Sequence, residues 1–190
     1  MRVIAGIARS MPLRTVKGMD VRPTTDRTKE TLFNIIQMRI PDCRFLDLYA
    51  GSGSIGIEAL SRGARECVFV EKARASQELV RENLTFTKLI DKAEILKGDV
   101  QQVLPRLEGR RQFDVIFMDP PFNHELEKET LTYLSGSTLL ADGGIVIVEA
   151  DPRTDFSYVP ELGFRVIKQK IYGKSSHLFL ERQEEMESKS

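Results

Sequence analysis

Hydrophobic positions in this chain fall into short unbroken runs separated by amphipathic stretches, the pattern of strands buried on both faces alternating with helices. The runs Arg44 to Tyr49, Cys67 to Glu71, Ala93 to Lys97, Phe113 to Met118 and Gly143 to Glu149 predict five strands. Between them, 3.6-residue spacing predicts helices from Ile57 to Arg62 (stopped by Gly63), from about Arg74 to Thr87 and from about Glu125 to Leu134. A short helix over about Val100 to Leu107 is expected to break in its first or last turn at Pro105, and residues after Asp26 look helical. Strands alternating with helices imply an α/β fold, a doubly wound and mostly parallel sheet with right-handed crossovers. The last part changes character. Phe164 to Tyr172 and Ser176 to Leu180 flank Gly173-Lys174, the signature of an antiparallel hairpin closing a seven-stranded sheet. Alternation from Arg2 to Leu13 suits a small N-terminal β-hairpin. The expected organisation is a basic N-terminal extension over residues 1–25, one domain over 26–182 and a polar tail over 183–190.

Composition narrows the class. With 190 residues, 41% hydrophobic and 29% charged, the chain is one domain of ordinary size with enough apolar surface for a real core. No apolar run approaches the roughly 18 residues that cross a bilayer, and the N-terminus lacks the apolar stretch of a secretory signal. A cytoplasmic protein with no membrane partner is expected. Cys43 and Cys67 are isolated, without C-x-x-C or Cys/His spacing, so they read as reduced core residues and no metal site is expected.

Chemistry concentrates at strand ends. Asp119-Pro120-Pro121-Phe122 follows the fourth strand, at the end of the sheet where open α/β folds hold their ligands. The prolines can neither extend the ladder nor enter a helix at once, so the segment leaves as a stiff lip. Asp119 and the Pro120 carbonyl can both accept hydrogen bonds from one NH2 group, and Phe122 offers a face for a ring to stack on. The bland alternative is a proline-rich turn before the next helix. A second motif, Ala50-Gly51-Ser52-Gly53-Ser54-Ile55-Gly56, joins the first strand to its helix. Glycines let a ligand approach the backbone, and a helix N-terminus faces the site.

Asp47, Glu71, Asp99 and Asp119 then fall at or near the ends of strands one to four. Four acids on one rim repel unless something cationic or donor-rich lies between them. A pyrophosphate is a poor guest there, whereas S-adenosylmethionine brings a sulfonium, an ammonium and ribose hydroxyls. Glu71 reads as the ribose acceptor, Asp99 as the partner of the adenine amine, and Asp47 as a neighbour of the methionine amine. Each acid alone also reads as a helix N-cap or a solvated loop residue.

These residues resemble the class I S-adenosylmethionine-dependent amino-methyltransferases. Within them, the chain is similar to the RsmD family, bacterial enzymes that methylate the 2-amino group of a guanine in 16S ribosomal RNA. The resemblance rests on Arg2 to Gly6, the block Arg22 to Arg27 with Glu30 and Leu32-Phe33-Asn34, Asp47 to Gly56, Glu58 to Ala64, Asp119 to Phe122, and later Tyr172-Gly173 and His177. It implies a Rossmann-like methyltransferase sheet and S-adenosylmethionine as cofactor. It also implies that Thr24 and its neighbours close over the methionine end of the cofactor. Asp119 and Pro120 would hold the target amine for direct, in-line displacement, without a metal.

Charge asymmetry bears on the partner. The chain balances 28 basic against 28 acidic residues, but residues 1–40 hold eight bases and three acids. A local basic arm with Arg2, Arg9, Arg14 and Arg22 can position a phosphate backbone while the cleft reads one base. The target base must leave its stack, so 16S rRNA or a partly assembled small ribosomal subunit is the expected partner. Three rivals stay open: the same chemistry on an adenine amine or a protein glutamine amide, an NAD-dependent oxidoreductase using Gly51, Gly53, Gly56 and Glu71, and a noncatalytic RNA-binding scaffold. His177, Tyr49 and Phe33 are read as structural, and His124, though close to the cleft, as an exposed helix-start histidine.

Overall fold

A computed structural model describes residues 1–16, 24–122 and 124–184. Lys17 to Pro23, and with them Arg22, lie outside the described residues, as do Asn123 and the tail from residue 185. The chain runs as α1 (Asp26–Ile35), β1 (Arg44–Leu48), α2 (Ser54–Ser61), β2 (Glu66–Glu71), α3 (Arg74–Phe86), β3 (Ala93–Lys97), α4 (Val100–Leu107), β4 (Phe113–Met118), α5 (Leu126–Ser135), β5 (Leu140–Ala150), β6 (Phe164–Tyr172) and β7 (Ser175–Arg182). The strands form one seven-stranded sheet in the order β3-β2-β1-β4-β5-β7-β6. Strands β1 to β5 pair in parallel, while β7 inserts antiparallel between β5 and β6.

Alternate residues of each buried strand feed two core layers, as the two-residue period of a strand requires. Phe45, Phe69, Phe117, Ile147 and Phe179 pack beneath α1, α2 and α3. Leu46, Val68, Ile116, Met118, Val148 and Leu180 pack on the other face against α4 and α5. The N-terminal arm joins the first layer through Val3, Ala8 and Leu13. It closes on itself through a single antiparallel bridge between Arg2 and Pro12 rather than a full ladder. Arm and glycine-loop helix nearly touch, since a Cβ on Gly6 would sit 1.8 Å from the Ser61 carbonyl oxygen.

The elements differ in detail from the sequence expectation. Pro105 does not break α4, which runs through it to Leu107; the proline sits in the last turn, where it gives up only the N–H that would bond the Gln101 carbonyl, and the helix ends two residues later. Strand β5 starts at Leu140, three residues earlier than its apolar run. Gly143 there takes φ 71° beside an irregularity in the pairing with β4. Helix α5 starts at Leu126, because Glu125 adopts a left-handed φ of 52°. Cys43 and Cys67 are both buried and free, and burial pushes the Cys43 thiol up to about 12. Among the described residues, no helix is long and apolar enough to cross a membrane.

Candidate active site

Strand order reverses between β1 and β4, whose outgoing loops part there and open a cleft at the carboxyl ends of the strands. Both sequence motifs stand at that point. The turn after β1 needs left-handed backbone at Tyr49, Gly51 and Gly53 (φ 61°, 58° and 79°). It is held by Gly53 N–H donating to the Ala50 carbonyl at 2.8 Å. A side chain at Gly51 would meet nothing within 4 Å, so this is an open cradle. Gly56 has a different reason: its Cβ would fall 2.3 Å from the Phe69 ring, so only glycine lets α2 lie this close to β2. Gly51 thus faces open space and Gly56 faces the core.

Asp47 lies under the loop, buried, with Oδ2 accepting the Gly56 N–H at 3.0 Å. Burial pushes its carboxyl up to about 8; the Gly56 bond opposes this and the Glu71 charge adds to it. Glu71 ends β2 and accepts the Gly51 N–H at 2.9 Å through Oε2 and the Ala73 N–H at 2.8 Å through Oε1. Each oxygen retains a lone pair for a further donor such as a hydroxyl. Asp99 follows β3. It caps α4, accepting the Gln101 N–H at 3.2 Å, and pairs with Lys72 at 3.2 Å near the mouth. Thr24 is half-buried beside Thr25, which caps α1 by accepting the Thr28 N–H at 3.1 Å.

Across the cleft, Asp119 is half-buried directly after β4, Pro120 is buried, and Pro121 and Phe122 project outward, Phe122 with 39% exposure. Burial raises the Asp119 carboxyl well above the usual carboxylate range, and Glu149 and Asp47 raise it further. A rim of acids this crowded is short of positive charge and of N–H and O–H donors. This set of acceptors suits a compact ligand with an ammonium, a sulfonium and sugar hydroxyls, and repels phosphate.

The basic arm is less free than its sequence implies. Lys29 is fully buried and bonded to Glu58, so it offers nothing to an outside partner. Arg2 pairs with Asp26 at 3.3 Å and Arg14 with Glu82 at 2.9 Å, whereas Arg9 and Arg27 are exposed. The arm still borders the cradle: Asn83 Nδ2 bonds both the Arg14 and Ser52 carbonyls, at 3.0 and 2.9 Å. Tyr49 and Phe33 are packing residues, Tyr49 with its hydroxyl 3.1 Å from Thr130 and Phe33 under the Arg62 guanidinium. His124 is exposed. Unanticipated is Glu149, an acid near the end of β5. It is buried, with Oε2 3.0 Å from His177 Nε2, while His177 Nδ1 has no partner. The sequence signal was the same as for the other four acids, a carboxylate closing an apolar strand.

The family model described as conserved hypothetical protein 95 matches residues 1–181. The ribosomal RNA small subunit methyltransferase D of Escherichia coli K12 is 34% identical over 188 residues, 98% of this chain and 92% of its own. The protein of the same name from Haemophilus influenzae is 33% identical over 93% of this chain and 91% of its own. The chain belongs to the methyltransferase D family. A solved Escherichia coli structure superposes with TM-score 0.85 at 32% identity, covering 96% of this chain and 98% of that one. The fold is therefore the Rossmann-like α/β fold expected from the sequence. Within this family the cradle at Gly51 and the lip at Asp119 are the two halves of the candidate active site.

Proposed function

We propose that this protein transfers a methyl group from S-adenosylmethionine to the exocyclic 2-amino group of a guanine in 16S ribosomal RNA, in the small subunit or a partly assembled form of it. Membership of a family with rRNA methyltransferases supports the substrate class. The observation that carries the chemistry is Asp119, half-buried at the switch point beside the open glycine cradle. When bound, the cofactor supplies an electron-poor methyl carbon on a sulfonium. Glu71 would hold the ribose hydroxyls, Asp99 the adenine amine and Asp47 the methionine ammonium; Thr24, at the entry to α1, would close over the methionine end. Gly51 and Gly53 keep the cradle free of side chains.

An arylamine is a poor nucleophile because its lone pair is delocalised into the ring. Asp119 and the Pro120 carbonyl each accept one of its N–H bonds, which draws the nitrogen toward a pyramid with its lone pair free. Pro121 stiffens the lip, and Phe122 stacks on the base. Positive charge then develops on nitrogen next to a carboxylate already in place, a preorganised stabilisation whose loss typically costs roughly 10²–10³ in rate. Alignment of the two reactants supplies much of the rest. Arg9, with Arg2, Arg14 and Arg22 of the arm, positions the phosphate backbone. No step requires a metal, and a cytoplasmic site of action follows from the substrate.

The decisive experiment is Asp119→Ala with calorimetry and labelled methyl transfer in parallel. The expected result is retained cofactor binding and methylation of rRNA reduced by about two to three orders of magnitude. Near-normal methylation by this variant overturns the assignment. Mass mapping of rRNA from cells with and without the protein identifies the nucleotide. A gain on DNA, or on a protein glutamine, would redirect the substrate class.

A further inference from the structure

The Asp119 side chain has a neighbour that the proposed chemistry does not use. Met118 and Val148 are paired across β4 and β5, so Asp119 and Glu149 leave adjacent strands at the same level, about 4.8 Å apart along the pairing direction. Both point away from the Met118 and Val148 layer, toward the face where Asp47 lies. On the far side, Glu149 and His177 are direct partners across β5 and β7, joined side chain to side chain at 3.0 Å. His177 is completely buried, boxed by the rings of Phe117, Tyr172 and Phe179 at 5.9, 5.0 and 6.4 Å. It has no room to swing away, so Glu149 is fixed beside Asp119.

Half-buried, with the Glu149 and Asp47 charges beside it, Asp119 does not ionise readily. The charged and titratable groups around them offer little relief. Asp119 faces Glu149 on β5 and Asp47 on β1, both acids. Glu149 faces His177 on β7 and the Tyr172 hydroxyl on β6, itself buried without a partner. Lys170, at the His177 register on β6, is exposed. From α1, Lys29 is already committed to Glu58, Ser54 and the Arg2 carbonyl.

We propose that Asp119 and Glu149 share one proton in the free enzyme, with His177 anchoring Glu149, and that the pair releases this proton when a sulfonium is placed beside it. This deepens the function proposed above and rests on it. Glu149 is then a positioning residue that charges Asp119 only once the methyl donor is present. During transfer the nitrogen lone pair forms the N–CH3 bond, and the S–CH3 pair stays on sulfur, which becomes a neutral thioether. Positive charge has left the sulfur, so the carboxylate pair regains its affinity for a proton and takes the one that the methylated amine sheds. The pair ends the cycle as it began.

The test is titration calorimetry of the full-length protein near neutral pH, in two buffers of different ionisation heat. Its ligands are S-adenosylmethionine and its demethylated thioether product. Both carry the ammonium that faces Asp47, so any proton release common to both cancels in the comparison. Wild-type protein should release a measurable fraction of a proton more with the sulfonium compound than with the thioether. Glu149→Gln keeps an acceptor for His177 but cannot hold the shared proton, and should lose that difference. Should that variant not fold, Asp119→Asn must lose the difference in its place. Equal release by wild-type protein with both ligands overturns the inference, as does a difference that survives the substitution. Absence of heat with either ligand overturns the functional reading itself, a separate outcome.

Discussion

Lys29 and Glu58 form an ion pair 3.4 Å apart in which neither side chain is exposed, and it fastens the N-terminal arm to the glycine-loop helix. The Glu58 carboxylate also accepts the N–H groups of Ile4 and Ala5, at 2.9 and 3.0 Å, and Nε of Arg62 at 2.8 Å. Lys29 donates to the Arg2 carbonyl at 2.6 Å and to Ser54 at 3.2 Å. Burial pulls the Lys29 ammonium below the usual lysine range, and Glu58 opposes that by favouring the charged form. A buried pair holds only when its remaining bonds are satisfied, and here they are.

Glu58→Ala should therefore be severe. It strands a buried ammonium and leaves two arm N–H groups without an acceptor, a kind of loss worth about 3–5 kcal/mol. Denaturant unfolding measures it, and Lys29→Met in the same background should recover part of the loss by removing the uncompensated charge. A cost under about 1 kcal/mol for Glu58→Ala, the range of exposed pairs, would mean that the arm is held by its apolar contacts and its bonds to Ser61 and Asn83.

The two glycines of the cradle should separate stability from binding. At Gly56 a methyl group would press on the Phe69 ring at 2.3 Å and Cys67 Sγ at 2.7 Å, so Gly56→Ala should destabilise by about 1–3 kcal/mol, as overpacking does. At Gly51 nothing stands within 4 Å, and the cost is only that of a left-handed φ of 58°, about 1 kcal/mol. Gly51→Ala places its methyl group in the cradle, so its main effect should be weaker cofactor binding by calorimetry. Equal effects of both substitutions on stability, with binding intact in each, would remove Gly51 from the site.

Much of this was legible in the sequence because parallel strands buried on both faces appear as continuous apolar runs. Phe113 to Met118 and Cys67 to Glu71 needed no partner to be recognised, and the acids closing such runs announced the rim. What remained hidden depends on pairing between distant segments. Lys29 looked like one more base of a cationic arm, since its acceptors come from Arg2, Ser54 and Glu58. His177 could be placed on a strand, but its bond to Glu149 follows from β7 inserting between β5 and β6, which hydrophobic spacing does not encode. Strand β5 reaches back past its apolar run because Asp142, exposed and charged, separates Leu140 and Ala141 from it.

Glu108 is another such residue, and it makes the fold acid-sensitive. It closes α4 and binds the turn before β5. Its carboxylate accepts the Thr138 N–H at 2.6 Å, the Ser137 hydroxyl at 2.7 Å, the Tyr133 hydroxyl at 3.1 Å and the Thr138 hydroxyl. Burial alone would raise its pKa; these donors outweigh burial and hold it at about 2. A carboxylate depressed in the folded state contributes stability above its unfolded value of 4.5 and loses it as pH falls toward about 2. Glu108→Gln should be less stable than wild type at neutral pH, and the gap should close across that acid window in denaturant unfolding. A gap independent of pH would show that the hydrogen bonds matter without the charge.

Asp47 has the opposite sign, and the sign bears on function. Its folded pKa of about 8 lies above the ordinary value of 3.8, because burial under the glycine loop disfavours the carboxylate. Between those values the free folded protein keeps a proton that the unfolded chain has surrendered, so this group makes stability fall as pH rises through the window. Asp47→Asn has no proton to lose. Its stability relative to wild type should grow from mildly acid pH toward pH about 8 and then level off, as read from unfolding midpoints at a series of pH values. The same substitution should weaken cofactor binding, because the ammonium loses a carboxylate that its own charge would help to ionise. A site that is costly when empty and relieved when a cation arrives favours the loaded state over the free one. Parallel stability curves for the two proteins would place the Asp47 charge in a solvated setting and remove that source of affinity.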